Sequence, residues 1–336
     1  MLTLDKLPKK VLEKLDLQTV FMVSRVVVAA EKLQIFRKLH GKQLTAAQIG
    51  RMLGIHRQKR EVFLGSLVAV GLLKKKGDLY FNSALAEKYF VRERSIYWTR
   101  LYSDQCITEY ERFSVLEKML ATGKNYGSIV GKKNVGYLDV IAKNRTWACD
   151  FTHMLYYHHL PEARALAKKL NLRGYRSLLD VGGGSGVMSI ALARKYPHLK
   201  ACVLDMKTVT PVTRKIVRRE GLSKQITTTV GDLNRDLPDG YDVMMFCDVD
   251  IADYRKTFKT AYDRLPAGGL IVVVEELASE DYTEPLLRMM WQLRTQGCLL
   301  RTRKEIADIV KACGFKSVKG SFLCRDSWMI TGRKPT

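Results

Sequence analysis

The sequence predicts a mixed α/β chain in which a doubly wound parallel sheet follows a mainly helical N-terminal domain. From Ser177 onward, short apolar runs alternate with helix-length segments, as the strands and crossover helices of a parallel sheet do. Before residue 95 the segments run helix, turn, helix and hairpin, which is the order of a winged-helix module. We therefore expect domains over residues 1–95 and 171–336, joined by pocket-lining helices over 96–170.

The composition favours a folded chain without a membrane-spanning segment. Hydrophobic residues make up 46% of the 336 residues, enough for the cores of two domains. The longest uncharged apolar stretch, Phe63–Leu73, has about half of the ~20 residues that a spanning helix needs. The first residues lack the apolar core of a signal peptide. We expect a cytoplasmic protein.

The cysteines and the net charge restrict the partners. Seven cysteines occur without a CxxC pair, so we expect free thiols and no metal site. The net charge of +23 would suit nucleic acid, an anionic lipid surface or an acidic small molecule. The basic residues are spread along the whole chain, which is more typical of a general surface property than of a binding site.

The N-terminal module has two interpretations. Thr45 and Gln48 form a capping-box pattern that predicts the start of one helix. The next helix begins with Arg57, Lys59 and Arg60, which in a DNA-binding winged helix would contact bases or phosphates. The alternative is that the module packs and dimerises.

A glycine-rich loop follows the first predicted strand, in the stretch LLDVGGGSG. Its glycines, Gly182, Gly184 and Gly186, are spaced G-x-G-x-G, and no Gly-Lys-Ser/Thr follows, which excludes a P-loop. A dinucleotide-binding fingerprint would place the third glycine one residue later. The predicted strands of this domain are SLLDV, ACVLD, ITTTV, DVMMF and LIVVVE.

Acidic residues end three successive strands, where open α/β sheets bind their ligands. Asp180 precedes the glycine loop and could meet a cofactor that carries a positive centre and an ammonium group. Asp205 is placed for ribose hydroxyls, and Asp232 for an adenine amino group. Together with the loop they predict S-adenosyl-L-methionine as the cofactor. The predicted cofactor site also includes the neighbouring residues Met206, Leu233 and Cys247.

The sequence resembles the class I S-adenosylmethionine-dependent methyltransferases, with their Rossmann-like sheet. More narrowly, it resembles the small-molecule O-methyltransferases that include plant caffeate-type enzymes, hydroxyindole O-methyltransferase and bacterial polyketide-tailoring enzymes. The motifs that carry the resemblance are LTAAQIGRMLGI, LVAVGLLKKKGDLYFNS, LLDVGGGSG, LPAGGLIVVVEE and LRTRKEIADIVKACGF. The resemblance implies an aromatic or polyketide-like small-molecule substrate. It also implies a winged helix that forms a homodimer and does not bind DNA.

The sequence departs from the family pattern after the fourth strand. Members that methylate a hydroxyl carry His-Asp-Trp there, and the histidine removes the hydroxyl proton. Here the position just past the strand reads Cys247-Asp248, with no histidine nearby. Glu275, at the end of the fifth strand, does match a family glutamate.

The missing histidine leaves several interpretations open. His158 or Asp248 could accept the proton, with Glu275 as a further catalytic candidate. Alternatively, an electron-rich carbon, such as an enol or a tetrapyrrole carbon, would need no strong base, and the enzyme would be a C-methyltransferase. The fold could also bind the cofactor without methylating anything, or serve as a DNA-binding regulator.

The acceptor pocket is predicted only from the resemblance. Met154 matches a methionine that borders the pocket, and the helix around Met290 and Trp291 corresponds to a pocket wall. Methionine and tryptophan would give an adaptable surface for an aromatic ring. The sequence does not identify the acceptor.

Overall fold

The computed structural model divides into two compact units, Met1–Glu111 and Arg112–Thr336. The residues that the structure describes are 6–13, 15–16, 19–92, 108–132, 136–233, 235, 237–293 and 300–336. The predicted domain boundary at residue 95 lies outside the described residues.

The first unit is mainly helical and carries a small antiparallel sheet. The strands have the order β1-β3-β2. Apolar side chains from its helices, among them Phe36, Ile49 and Leu64, are fully buried in one core. Its elements are α1 (Lys9–Leu12), α2 (Val20–Lys32), α3 (Ile35–Lys38), β1 (Leu44–Thr45), α4 (Ala46–Leu53), α5 (Arg57–Ala69), β2 (Leu73–Lys76), β3 (Leu79–Asn82), α6 (Ala84–Ala86) and a π-helical turn (Glu87–Val91).

The winged-helix order predicted for this unit is confirmed. The Thr45 side chain accepts a hydrogen bond from the backbone N–H of Gln48, and the Gln48 side chain accepts one from the backbone N–H of Thr45. This capping box starts α4 because it satisfies N–H groups that have no partner inside the helix. Strands β2 and β3 then pair as the predicted hairpin.

The second unit is an α/β domain with a mainly parallel sheet of seven strands. Every strand predicted from the sequence is present. The elements are α7 (Leu116–Thr122), α8 (Tyr126–Val130), α9 (Tyr137–Lys143), α10 (Arg145–His158), α11 (Leu160–Lys169), β4 (Ser177–Val181), α12 (Val187–Lys195), β5 (Lys200–Asp205), α13 (Thr210–Arg219), β6 (Ile226–Val230), β7 (Val243–Cys247), α14 (Tyr254–Arg264), β8 (Leu270–Glu276), α15 (Leu286–Leu293), α16 (Arg303–Ala312), β9 (Lys316–Cys324) and β10 (Ser327–Arg333).

The strand order of this sheet is β6-β5-β4-β7-β8-β10-β9. The first five strands in that order are parallel, whereas β10 is antiparallel to both β8 and β9. After β4, the chain first adds β5 and β6 on one side of that strand and then adds β7 and β8 on the other side. Such a reversal opens a crevice at the carboxyl ends of the central strands, where doubly wound sheets bind ligands.

The sheet is buried on both faces, which explains its nearly continuous apolar strands. Successive residues of β4 belong to different cores, Leu178 to one and Leu179 to the other. In the described part of the chain, no helix is long and apolar enough to cross a membrane.

Candidate active site

The glycine loop joins β4 to α12 at the centre of the crevice. Gly182 has φ +64°, and a Cβ there would lie 2.8 Å from a methyl carbon of Val249, so both backbone and packing require glycine. Gly184 has φ +51°, but no atom of the described residues lies within 4 Å of the position its Cβ would take. The loop is therefore packed against the protein at Gly182 and open at Gly184.

Two side chains hold the loop at Gly184 through hydrogen bonds. The carboxylate of Asp205, at the end of β5, accepts hydrogen bonds from the backbone N–H groups of Gly184 (2.8 Å) and Met206 (2.7 Å). The Thr213 hydroxyl donates to the carbonyl oxygen of Gly184 at 2.6 Å. Burial raises the pKa of Asp205 despite the two N–H donors, which oppose the rise. Asp205 thus fixes the loop and stands at its edge.

Asp180 lies beneath the loop. A Cβ on Gly183 would come within 2.5 Å of the Asp180 carboxyl carbon, and the Asp180 side chain is fully buried. One oxygen accepts a 2.6 Å hydrogen bond from the Ser189 hydroxyl, whereas Oδ1 has no hydrogen-bond partner among the described residues. Burial, aided by the charge of Asp205, raises the pKa of Asp180 to about 7. Asp180 therefore shapes the loop; its direct contact with a cofactor stays a prediction.

The end of β6 approaches the same edge. The backbone N–H of Gly231 donates to the carbonyl of Asp205 at 3.2 Å, which brings Asp232 and Leu233 beside the loop. The Asp232 side chain is 51% exposed, and one of its carboxylate oxygens lies 3.9 Å from Arg235 Nε. Met206 packs near Ile141. The residues predicted for the adenosine end of the cofactor are thus grouped at the carboxyl ends of β5 and β6.

A second cluster lies at the ends of β7 and β8. Asp248 follows β7 with φ +47°, a conformation that is uncommon outside glycine and is often found at functional sites. Its backbone N–H donates to the carbonyl of Val274 at 2.8 Å. The next N–H, of Val249, donates to the buried Glu275 carboxylate at 3.2 Å. Glu275 therefore holds the turn that presents Asp248.

Two cationic or ionisable groups face the Asp248 carboxylate. His159 Nε2 lies 3.4 Å from Oδ2, and an Arg288 Nη2 lies 3.6 Å from Oδ1. Burial on its own would raise the pKa of Asp248, but the contact with His159 and the charge of Arg288 lower it to about 2. In turn, Asp248 raises the pKa of His159 against the opposing effect of burial. Neither His159 nor Arg288 was predicted as a site residue from the sequence.

His158 lies beside this pair. Its ring centroid is 4.8 Å from that of His159, in an edge-to-face arrangement. Burial, with the charges of His159 and Arg325, lowers the pKa of His158 to about 4. The ion-pair contact of 3.4 Å with Asp248 is made by His159, and a catalytic role for His158 stays a prediction.

Burial also raises the pKa of two other predicted residues. It raises the pKa of Glu275 well above its usual range, and the Asp248 charge adds to this effect. It raises the pKa of the Cys247 thiol in the same way, with further contributions from Asp180, Glu275 and Asp248. A neutral thiol is a poor nucleophile, so Cys247 fits a wall of the site.

The predicted substrate residues differ in exposure. Met154 on α10 is buried, whereas Met290 and Trp291 on α15 are 43% and 48% exposed. Arg288 belongs to the same helix as the latter two, which places an exposed apolar surface next to the Asp248 cluster along one element. In the described residues, no group of three or more potential ligands could hold a metal ion.

The donor set suits S-adenosylmethionine. A loop that is open at Gly184 admits a close-packed ligand, Asp205 and Asp232 offer carboxylates to hydroxyl and amino groups, and Cys247 offers an uncharged wall.

Comparison with known families agrees with this geometry. A family model described as the O-methyltransferase domain matches residues 101–316, and one described as the O-methyltransferase dimerisation domain matches residues 15–92. The chain belongs to this O-methyltransferase family. The family resemblance and the fold predicted from the sequence are thereby confirmed.

The relatives of this methyltransferase are named for several different methylation reactions. The 3-hydroxy-5-methyl-1-naphthoate 3-O-methyltransferase of Streptomyces sahachiroi is 27% identical over 315 residues, covering 90% of this chain and 89% of the relative. The L-tyrosine C(3)-methyltransferase of Streptomyces lavendulae is 29% identical over 280 residues, covering 77% and 73%. The S-adenosyl-L-methionine-dependent methyl transferase PigF of a Serratia species is 22% identical over 328 residues, covering 94% of each.

Solved structures share the fold of this methyltransferase. PigF with SAH has a TM-score of 0.84 at 21% identity, covering 98% of this chain and 100% of that one. Human N-acetylserotonin methyltransferase in complex with SAM has a TM-score of 0.79 at 22% identity, covering 99% and 100%. With its family and relatives, the predicted cofactor is confirmed: the enzyme is an S-adenosylmethionine-dependent methyltransferase.

Proposed function

We propose that the enzyme methylates a hydroxyl oxygen of a planar aromatic or polyketide-like small molecule. The observation that carries the proposal is the crevice at the ends of β4, β5 and β7, with Gly184 open at its centre and the apolar surface of α15 on the same domain. Relatives named for a hydroxynaphthoate and for acetylserotonin support an aromatic acceptor.

In this proposal the cofactor supplies a methyl group bonded to a positively charged sulfur. Asp205 binds the ribose hydroxyls, Asp232 binds the adenine amino group, and the loop at Gly184 allows close approach of the cofactor to the backbone. Met154, Met290 and Trp291 orient the flat acceptor. Most of the rate acceleration then comes from holding acceptor and methyl donor in line, since orientation alone lowers barriers by several kcal/mol, roughly 7 to 11 in the best cases.

We also propose a cytoplasmic homodimer. The match of residues 15–92 to a dimerisation domain supports the dimer and argues against DNA binding by the winged helix. The five cysteines among the described residues are all free thiols, in keeping with a reducing compartment. Light scattering of the purified protein should give twice the mass of one chain; a monomer would contradict the dimer.

The test uses S-adenosylmethionine with an isotopically labelled methyl group. The pure protein is incubated with 3-hydroxy-5-methyl-1-naphthoate, N-acetylserotonin and a series of naphthols, and products are examined by mass spectrometry. Label on oxygen would support the proposal. Label on carbon would support C-methylation instead. This outcome is tested because no histidine follows β7 and because one relative is named as a tyrosine C(3)-methyltransferase.

Asp205→Ala is the matched loss-of-binding variant for this test. Asp239→Ala is its control, because Asp239 is an exposed aspartate that pairs with Arg264. We expect labelled product from the wild type and from Asp239→Ala, and none from Asp205→Ala. Equal product from both variants would contradict the assignment of the cofactor site.

A further inference from the structure

His159 provides at the active site the ring that the segment after β7 lacks. It lies at the junction of α10 and α11, where it precedes the first residue of α11, Leu160. From there its Nε2 reaches to 3.4 Å of Asp248. We propose that His159 is the proton acceptor for the substrate hydroxyl and that Asp248 is its positioning residue, an inference that rests on the proposed function.

The surroundings of Asp248 fit a positioning role. Its two oxygens face different partners, His159 and Arg288, so the carboxylate has little freedom to rotate. Its backbone is held by the carbonyl of Val274, and the following residue is held by Glu275. A fixed carboxylate fixes the ring that contacts it, which is how a carboxylate orients the histidine in hydrolase triads.

The contact also determines which ring nitrogen takes the proton. With Nε2 as the N–H directed at Asp248, the remaining nitrogen, Nδ1, carries the lone pair. The His159 side chain is 15% exposed, so the ring is not sealed inside the core. Asp248 is ionised at neutral pH and favours the charged form of His159. The pair is therefore arranged to receive a proton and to stabilise the imidazolium that results.

The step balances in atoms and charge. The hydroxyl O–H bond breaks and its proton bonds to His159 Nδ1, while the oxygen bonds to the methyl carbon. The methyl carbon–sulfur bond breaks, and its electron pair stays on sulfur. One positive charge is lost at sulfur and one is gained on the imidazole, so the net charge of the site does not change.

The charged groups around His159 come from four elements. Asp248 follows β7, Glu276 ends β8, Glu162 lies on α11, and His158 ends α10. Glu162 is buried, and one of its oxygens lies 3.3 Å from Arg325. The acids favour the charged form of His159, whereas burial of the ring opposes it. Because Asp248 is the acid in direct contact, its removal should move the pKa of His159 most.

The first experiment measures histidine ionisation without any acceptor. Imidazole signals of the full-length protein are followed by NMR across pH, and His159→Asn assigns the signal. We expect the pKa of His159 to fall in Asp248→Asn, because the negative charge is lost and the shape is kept. An unchanged pKa of His159 would contradict the proposed His159–Asp248 pair, whether or not an acceptor is known.

The second experiment measures methyl transfer to two probes. One is an unsubstituted naphthol, which is neutral at pH 7; the other is a nitro-substituted naphthol that is ionised at that pH. His159→Asn should slow transfer to the neutral naphthol by about 100- to 10,000-fold, as for loss of a general base. Transfer to the ionised naphthol should fall much less, because no proton needs to be removed. Equal losses with both probes would overturn the proton-acceptor role.

The pH profile provides the readout that a purely structural effect would not move. The base must be unprotonated, so the wild-type rate with the neutral naphthol should rise as the pH passes the pKa of His159. In Asp248→Asn this rising limb should move to lower pH, and a limb that stays in place would overturn the positioning role. His198→Gln is the control, because His198 precedes the amino end of β5, whereas Asp248 follows the carboxyl end of β7.

The proposed function and the base assignment can fail separately. If wild-type enzyme methylates none of the naphthols, the proposed acceptor class is contradicted, while the NMR titration still decides whether the pair exists. If wild type methylates them and His159→Asn does so equally well, the base assignment fails and the proposed function stands. Calorimetric binding of S-adenosylmethionine to each variant confirms that the fold and cofactor site are intact.

Discussion

Replacing Gly184 by alanine separates backbone strain from cofactor contact. Gly184 has φ +51°, a conformation that costs a residue with a Cβ about 1–2 kcal/mol. No atom of the described residues lies within 4 Å of that Cβ position, so the protein itself adds no steric penalty. We therefore expect Gly184→Ala to fold, with its free energy of unfolding lowered by about 1–2 kcal/mol.

Gly184→Ala should also weaken cofactor binding, which the backbone strain does not by itself explain. The open side of Gly184 is where the cofactor is expected to contact the loop, and a methyl group there has to be accommodated in a close-packed contact. Overpacking of this kind costs about 1–3 kcal/mol, which corresponds to a loss of affinity of roughly 5- to 150-fold.

Gly54→Ala is the matched control. Gly54 ends α4 in the other unit with φ +68°, and again no atom of the described residues lies within 4 Å of its Cβ position. Urea unfolding should show similar destabilisation in both variants, whereas calorimetry with S-adenosylmethionine should show weaker binding only in Gly184→Ala. Wild-type affinity in Gly184→Ala would refute the reasoning, since the open side of the loop would then not face the cofactor.

Three further predictions concern stability. For Asp180→Asn, the ionised form of Asp180 is disfavoured in the folded state, so wild-type stability falls as the pH rises from about 4 to about 7. The variant keeps a partner for Ser189 and should not show this decline; urea unfolding at pH 5 and pH 8 measures the difference, and parallel pH dependences would contradict it. Gly182→Ala should lower the melting temperature more than Gly184→Ala, because its Cβ would meet Val249 at 2.8 Å; equal melting temperatures would count against that clash. Thr45→Ala should cost about 1 kcal/mol in urea unfolding through loss of the helix cap, and no loss would show that the cap is not stabilising.

The sequence was sufficient for the parts of the fold that depend on local patterns. The capping box at Thr45, the hairpin after α5 and all five strands of the parallel sheet were predicted, because each is encoded by neighbouring residues. The loop between β4 and α12 was predicted for the same reason. Its glycines are required by backbone angles and by contacts with nearby elements, and these requirements leave a visible spacing in the chain.

The cluster around Asp248 could not be derived in the same way. His159 and Asp248 are far apart in the chain and meet only because α10 and α11 pack near the end of β7. The sequence pointed to the neighbouring His158, because His158 falls on the same helical face as Met154, whereas the contact of His159 with Asp248 depends on tertiary packing. Arg288 gave no signal either, because an arginine on an exposed helix is usually solvated. The burial of Asp180 beneath Gly183 likewise depends on how the loop folds back.

The hydrogen bonds by which Asp205 and Thr213 hold the glycine loop have a consequence for turnover. Methyl transfer alters only the sulfur of the cofactor, whereas in the proposed function the loop and the strand ends hold its nucleoside half. These groups meet the same chemistry before and after each cycle, so the spent cofactor remains a competitor for the site. The output of the enzyme in a cell should therefore follow the ratio of fresh to spent cofactor, and the rate at which other enzymes clear the spent form becomes part of its regulation.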